Sequence, residues 1–250
     1  MTFSLSAAGV RGILLDIEGT TTPLAFVHEV LFPYAREHVK NYLNEHFTSN
    51  QVQTDLLVLS EEHAADIAQG RTPPSLVGEP VSASIASLAA YVYWLMERDR
   101  KSTGLKSLQG KIWQQGYRDG TLKSQVFADV PPALARWHEA NRKTSIFSSG
   151  SVLAQKLLFA HTEAGDLTGF IHSYFDTATG PKTAPESYRR IARTLELPLP
   201  QILFISDVTE ELDAAGTTGM YTRLCARPGN HPQPSDNQHQ TIKSFDEMTK

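Results

Sequence analysis

The chain has 250 residues and a formal charge of −4. That length buries roughly 70–75% of the surface an unfolded chain exposes, enough for one large domain or a core with an inserted subdomain. The slight acidity gives no electrostatic footprint for nucleic acid, and no window approaches the ~20 apolar residues of a membrane span. A single cysteine, Cys225, cannot form an internal disulfide and fits a reducing compartment. The opening M-T-F-S-L-S-A-A-G-V-R lacks the basic end and apolar stretch of a secretory leader. A monomeric, cytoplasmic, globular protein is expected.

Ile13, Leu14 and Leu15 form an apolar run too short for a helix and suited to a strand buried on both faces. The run ends at Asp16, followed by Glu18, Gly19 and a row of threonines. In an open parallel sheet the carboxyl ends of the strands form the ligand crevice, so a carboxylate there points to chemistry. The competing account is a strand-end Asp that starts an Asx turn.

From there to about Val126 the pattern is helical. Phe26 to Leu31 reads as one turn, and Pro33 opens a helix with Tyr34, Val39, Tyr42, Leu43 and Phe47 on one face. Thr48, Ser49 and Asn50 offer caps for a helix carrying Val52, Leu56, Leu59, His63 and Ile67. Arg71 to Pro80 is a proline-rich loop. Ile85, Leu88, Ala89, Val92, Leu95, Met96 and Asp99 trace the clearest stripe, and Leu105, Leu108, Ile112 and Trp113 suggest one more helix. Aromatic residues on such stripes, Trp94 among them, belong to helix–helix cores more often than to binding surfaces. These helices make a small bundle, residues 21–125, inserted into a core of residues 1–20 and 126–250.

After Val126 strands and helices alternate. A helix over Pro131–Ala140 precedes a strand, Thr144–Phe147, that ends in Ser148-Ser149-Gly150-Ser151. The helix Val152–His161 follows, then a strand Ile171–Phe175 leading to Asp176, Gly180 and Lys182. Pro185–Leu195 is helical, and Ile202–Ile205 is a buried strand ending at Ser206-Asp207 with a short helix behind it. Tyr221–Cys225 is the last strand, Arg227–Asn237 is loop-like, and Ile242–Met248 docks back. The alternation implies an α/β fold with a parallel, Rossmann-type sheet and right-handed crossovers.

Asp16 with Glu18, Ser148 with Ser149, Lys182, and Asp207 thus leave an acid pair, hydroxyls, a cation and another acid near strand ends. Gathered on one crest they suit phosphoryl transfer, which depends on positioning and on neutralising the phosphoryl oxygens. Asp16 and Asp207 with phosphate and water would make a hard oxygen site for Mg²⁺. Lys182 and a serine would hold the remaining phosphate oxygens. Each group also has a plainer account. Ser149 or Ser151 can cap the helix at Val152, with Ser151 the better placed. Lys182 can be a loop lysine and Asp207 an N-cap, and Glu210 and Glu211 can serve a helix dipole. Gly104–Lys111 superficially resembles a P-loop but has the wrong glycine spacing, no preceding strand, and Ile112 where Ser or Thr is needed. His28 is the one histidine near the first motif, and a surface or helix histidine is its simplest account.

D-I-E-G-T-T, S-S-G, a Lys before a helix and a late S-D resemble the haloacid dehalogenase superfamily. D-I-E-G-T-T-T-P, F-V-H-E-V-L-F-P-Y-A-R, L-Q-G-K-I-W-Q-Q-G-Y, F-S-S-G-S-V-L-A-Q-K-L-L-F, G-P-K-T and A-R-P-G-N are similar to the enolase-phosphatase family of methionine salvage. The resemblance covers nearly the whole sequence. It implies a core with a helical cap, one Mg²⁺ per chain, and a small-molecule phosphate substrate, 2,3-diketo-5-methylthiopentyl-1-phosphate. It further implies Asp16 as nucleophile and metal ligand, Glu18 as acid/base with its backbone carbonyl on the metal, Ser148, Ser149 and Lys182 on the phosphate, and Asp207 as metal ligand. Glu18 stands where the superfamily usually has Asp, and whether Glu210 or Glu211 supports the metal is open. A capped phosphatase for another ester, or a phosphate-binding protein without turnover, are the alternatives.

Overall fold

The computed structural model describes residues 3–232 and 238–249, so part of the loop-like stretch Arg227–Asn237, residues 233–237, lies outside the described residues. The chain divides into two compact units, Met1–Glu29 with Lys123–Lys250, and Val30–Leu122. The first unit opens with β1 (Phe3–Ser4) and β2 (Gly12–Leu15), the latter buried throughout. A π-helical segment, Phe26–Leu31, then leads into α1 (Phe32–His46), followed by α2 (Asn50–Ala68), α3 (Val81–Glu97) and α4 (Thr103–Asp119).

Pro33 falls in the first turn of α1, where its missing N–H breaks no bond. Ser49 and Ser102 cap α2 and α4 by accepting from Val52 N and Leu105 N. Val39, Leu43, Leu59, Leu88, Val92, Leu95, Leu108, Ile112, Trp94 and Trp113 are all buried. Gly104–Lys111 lies within α4, so it forms no phosphate-cradling loop.

Two expectations for this unit need correction. Ile67 is 54% exposed, whereas Asp55 and Asp66 on the same helix are buried. The buried face is turned toward these acids because cations meet them there. Lys111 pairs with Asp55, Arg71 and Arg100 each donate to Asp66 at 2.6 Å, and Tyr91 donates at 3.0 Å. Asp99 does not extend the stripe of α3, which ends at Glu97; it sits beyond the helix at φ 44°.

The first unit resumes with α5 (Val130–Glu139), β3 (Lys143–Phe147), α6 (Val152–Ala160) and β4 (Ser173–Phe175). It continues through α7 (Pro185–Leu195), β5 (Ile202–Ser206), α8 (Thr209–Gly216) and β6 (Tyr221–Cys225) to β7 (Thr241–Ile242) and β8 (Met248–Thr249). β4 starts later than Ile171, because Thr168–Phe170 forms a 3-10 turn ahead of it. The strands form a parallel sheet in the order β4-β3-β2-β5-β6-β7, with β1 and β8 paired separately.

The chain adds β3 and β4 on one side of β2, then crosses to add β5, β6 and β7 on the other. This reversal is the switch point where an open α/β sheet binds ligands. Leu15 is level with Ile146 on one neighbour and Ile205 on the other. Asp16 therefore leaves β2 beside the strand that ends just before Asp207. Beneath this crest Leu14, Phe147, Phe204 and Leu224 pack with Tyr188, Ile191, Leu195 and Leu212 of α7 and α8. Among the described residues no helix is long and apolar enough to cross a membrane.

Candidate active site

Lys182 anchors the site. Its Nζ lies 2.6 Å from Asp16 Oδ1 and 2.7 Å from Glu211 Oε2. The lysine reaches there from the loop between β4 and α7, whose shape is set locally. Gly180 adopts φ 138°, and a Cβ on it would collide with the Ser187 hydroxyl. That hydroxyl donates to Pro181 O at 2.7 Å, and Tyr188 donates to Lys182 O at 2.6 Å. Burial acts to lower the Lys182 pKa, but Asp16 and Glu211 outweigh it and raise it above the ordinary lysine range.

Asp16 is held at the end of β2 by its N–H, which donates to Ile205 O at 3.0 Å. The backbone then turns back on itself. Gly19 N donates to Thr22 O at 2.8 Å, which fixes the plane of the Glu18–Gly19 peptide and turns the Glu18 carbonyl the opposite way. Gly19 is in the left-handed region at φ 68°, and the Asp207 carboxylate occupies the space a Cβ there would need. Only glycine lets the two motifs approach so closely.

Asp207 is buried, and burial first, then the charge of Asp16, pushes its pKa up to about 7. Glu211 is also raised, by burial and by Asp16, against the pull of Lys182. Its carboxylate accepts from Ser206 Oγ at 3.0 Å. Helix phase separates Glu211 from Glu210: Glu211 is buried against Lys182, and Glu210 is exposed. The N-cap position of α8 falls on Val208, one residue beyond Asp207. Ser151 does cap α6, accepting from Ala154 N at 3.2 Å.

The remaining sequence candidates sit around this cluster. Ser148, buried, follows β3 at the same end of the sheet, and its hydroxyl accepts from Gly150 N at 3.2 Å. Ser149 beside it is exposed. The Glu18 side chain is 37% exposed, with His28 Nε2 at 4.0 Å. The structure thus brings Asp16, Lys182, Asp207 and Glu211 into one cluster, while the Glu18 side chain is partly exposed and Ser149 is exposed.

Three buried carboxylates, those of Asp16, Asp207 and Glu211, gather around the one ammonium of Lys182. Such an oxygen-rich, acidic donor set fits a hard divalent cation. Among the described residues no three His, Cys, Asp or Glu side chains converge closely enough to hold a metal alone. Mg²⁺ does not require that, since it takes one or two carboxylates and keeps water and phosphate oxygens for the rest.

The sequence matches the haloacid dehalogenase-like hydrolase family over residues 10–217. An enolase-phosphatase E1 from Synechococcus elongatus is 51% identical over 239 residues, 96% of this chain and 98% of that protein. The chain belongs to the enolase-phosphatase family. A second enolase-phosphatase E1, from Drosophila grimshawi, is 42% identical over 95% of this chain and 94% of that one. The crystal structure of the UTR4 protein from Saccharomyces cerevisiae superposes with a TM-score of 0.77 at 35% identity, covering 95% of this chain and 99% of that one. In this enolase-phosphatase family member the likeness runs through both compact units. The A-R-P-G-N segment meets the first motif directly: Arg227 donates to Thr20 O at 3.2 Å and Asn230 donates to Gly19 O at 2.9 Å.

Proposed function

We propose that this protein is a bifunctional enolase-phosphatase of methionine salvage. It converts 2,3-diketo-5-methylthiopentyl-1-phosphate to acireductone (1,2-dihydroxy-3-keto-5-methylthiopentene) and phosphate. The observation that carries this reading is the Asp16 carboxylate held 2.6 Å from Lys182 at the switch point of the sheet. The enolase-phosphatase names of its relatives support the activity, and the family resemblance implies the substrate.

Asp16 and Asp207, with the carbonyl of Glu18, would hold one Mg²⁺. When bound, that ion neutralises phosphoryl charge and polarises a substrate carbonyl, which eases loss of a proton from the neighbouring carbon. Ser148, Ser149 and Lys182 bind the phosphate and set it in line with Asp16. An Asp16 oxygen attacks phosphorus, the bond from phosphorus to the substrate oxygen breaks, and Glu18 protonates the departing oxygen. Glu18, now a carboxylate, takes a proton from water as the water attacks the aspartyl-phosphate, freeing phosphate and restoring Asp16.

Asp16→Asn tests the reading. Phosphate release should fall by about 10³-fold or more, with the circular-dichroism spectrum unchanged. A variant turning over near the normal rate would remove Asp16 as nucleophile. With the diketone phosphate supplied, an enol absorbance should rise before phosphate appears. Phosphate without that transient would leave a phosphatase lacking the enolase step.

A further inference from the structure

Asn230 closes the A-R-P-G-N segment that follows β6. Its Nδ2 donates to Gly19 O at 2.9 Å and to Cys225 O at 3.1 Å. Two carbonyls on one side settle the orientation of the carboxamide, because a flipped amide would set its oxygen against both. The Oδ1 atom must then face the other way. There it is buried without a hydrogen-bond partner among the described residues, 3.0 Å from the point a Cβ on Gly19 would occupy, the point that the Asp207 carboxylate also crowds. A buried acceptor left unpaired is costly, so a donor is expected at that position in the working protein. Asp207 and the Glu18 carbonyl, on either side of Gly19, accept and do not donate when they ligate an ion. A water in the ion's shell is the donor that fits.

We propose that Asn230 is a positioning residue for the divalent ion: its amide fixes the Gly19 carbonyl, and its Oδ1 accepts a hydrogen bond from an ion-bound water beside Asp207. Arg227 braces the next residue. Its Nε donates to Thr20 O at 3.2 Å, its guanidinium lies between the Phe127 and Phe245 rings at 4.5 and 4.7 Å, and Asp129 accepts from Nη1 at 2.9 Å. The Arg227 guanidinium carries donors only and can ligate no cation, so the two residues of one motif divide the work. Arg227 stiffens the loop, and Asn230 also serves the ion. Outer-shell partners of this kind change metal affinity by roughly 10–100-fold when removed.

The inference rests on Asp16 and Asp207 being the ion's carboxylates, and the test separates the two. Mn²⁺ is titrated into the purified full-length protein at fixed pH, and the free ion is read by electron paramagnetic resonance. Wild-type protein that binds no Mn²⁺ would overturn the carboxylate assignment itself. With wild-type binding established, Asn230→Ala should raise the Kd about tenfold or more. Asn230→Asp, which returns an oxygen to the same place, should bind at least threefold tighter than Asn230→Ala. A brace with no role toward the ion would give an unchanged Kd in Asn230→Ala, or equal weakening in both variants, and either result overturns the inference. Should Asn230→Ala fail to fold, Asn230→Leu fills the same volume and replaces it in the comparison.

Discussion

Lys182 stands between Asp16 and Glu211, and two substitutions separate its structural and chemical duties. Lys182→Met keeps the stem but leaves two carboxylates facing each other out of water. Breaking such a buried pair costs about 3–5 kcal/mol, and loss of a charge-stabilising group lowers turnover by roughly 10²–10³-fold. Adding Glu211→Gln removes the stranded charge while keeping an acceptor for Ser206, so denaturant melts should recover stability and phosphate release should stay low. If activity returned in the double variant, Lys182 would be only a counter-charge for Glu211. Asp16, Lys182 and Asp207 were legible in the sequence because each follows a strand pattern with a polar break. Glu211 was not. A helix-dipole account served both acids of the first turn of α8, and only the phase of that helix, with Glu211 four residues after Asp207, separates them. Asn230 was illegible for another reason, since a loop has no periodicity from which to infer where its side chain goes.

At the scale of elements, the helices of the second unit were foretold in number and order from their apolar spacing and caps. Their facing was less secure. The spacing put Ile67 inward and ignored Asp66, because a buried acid depends on partners that come from other segments, here Arg71, Arg100 and Tyr91. This cluster makes α2 acid-sensitive. Burial acts to raise the Asp66 pKa, but the hydrogen bonds from Tyr91, Arg71 and Arg100 together prevail and hold it below the ordinary value of 3.8. A depressed folded pKa gives stability that is present above the unfolded value and lost as pH falls through the folded one. Melts should therefore show a loss of stability below about pH 4, and Asp66→Asn should flatten that slope. At neutral pH the same variant should lower the midpoint by about 2–4 °C, the response to ~1 kcal/mol for partners that are a third exposed. An acid limb unchanged in Asp66→Asn would assign the effect to other carboxylates.

On the scale of the whole molecule, the cluster of acids couples stability to pH and to the ion in opposite senses. Asp207 titrates near 7 in the folded chain and near 3.8 when unfolded. Between these values the native state holds a proton that the unfolded state has released, so this contribution to stability is lost as pH rises through about 7. On the proposed assignment the ion binds the deprotonated carboxylates, and whatever binds only the folded state stabilises it by RT ln(1 + [L]/Kd), about 2.7 kcal/mol at a hundredfold excess over Kd. Calorimetry at about pH 8 should show Mg²⁺ raising the midpoint by roughly 5–10 °C, with EDTA reversing the gain. At about pH 5 the proton competes for Asp207, and the rise should be much smaller. Asp207→Asn should remove the loss that accumulates as pH rises from about 4 to about 7, and most of the Mg²⁺ gain, because on this assignment both arise from one buried charge. A Mg²⁺ gain of equal size at both pH values would mean that the ion sits away from Asp207.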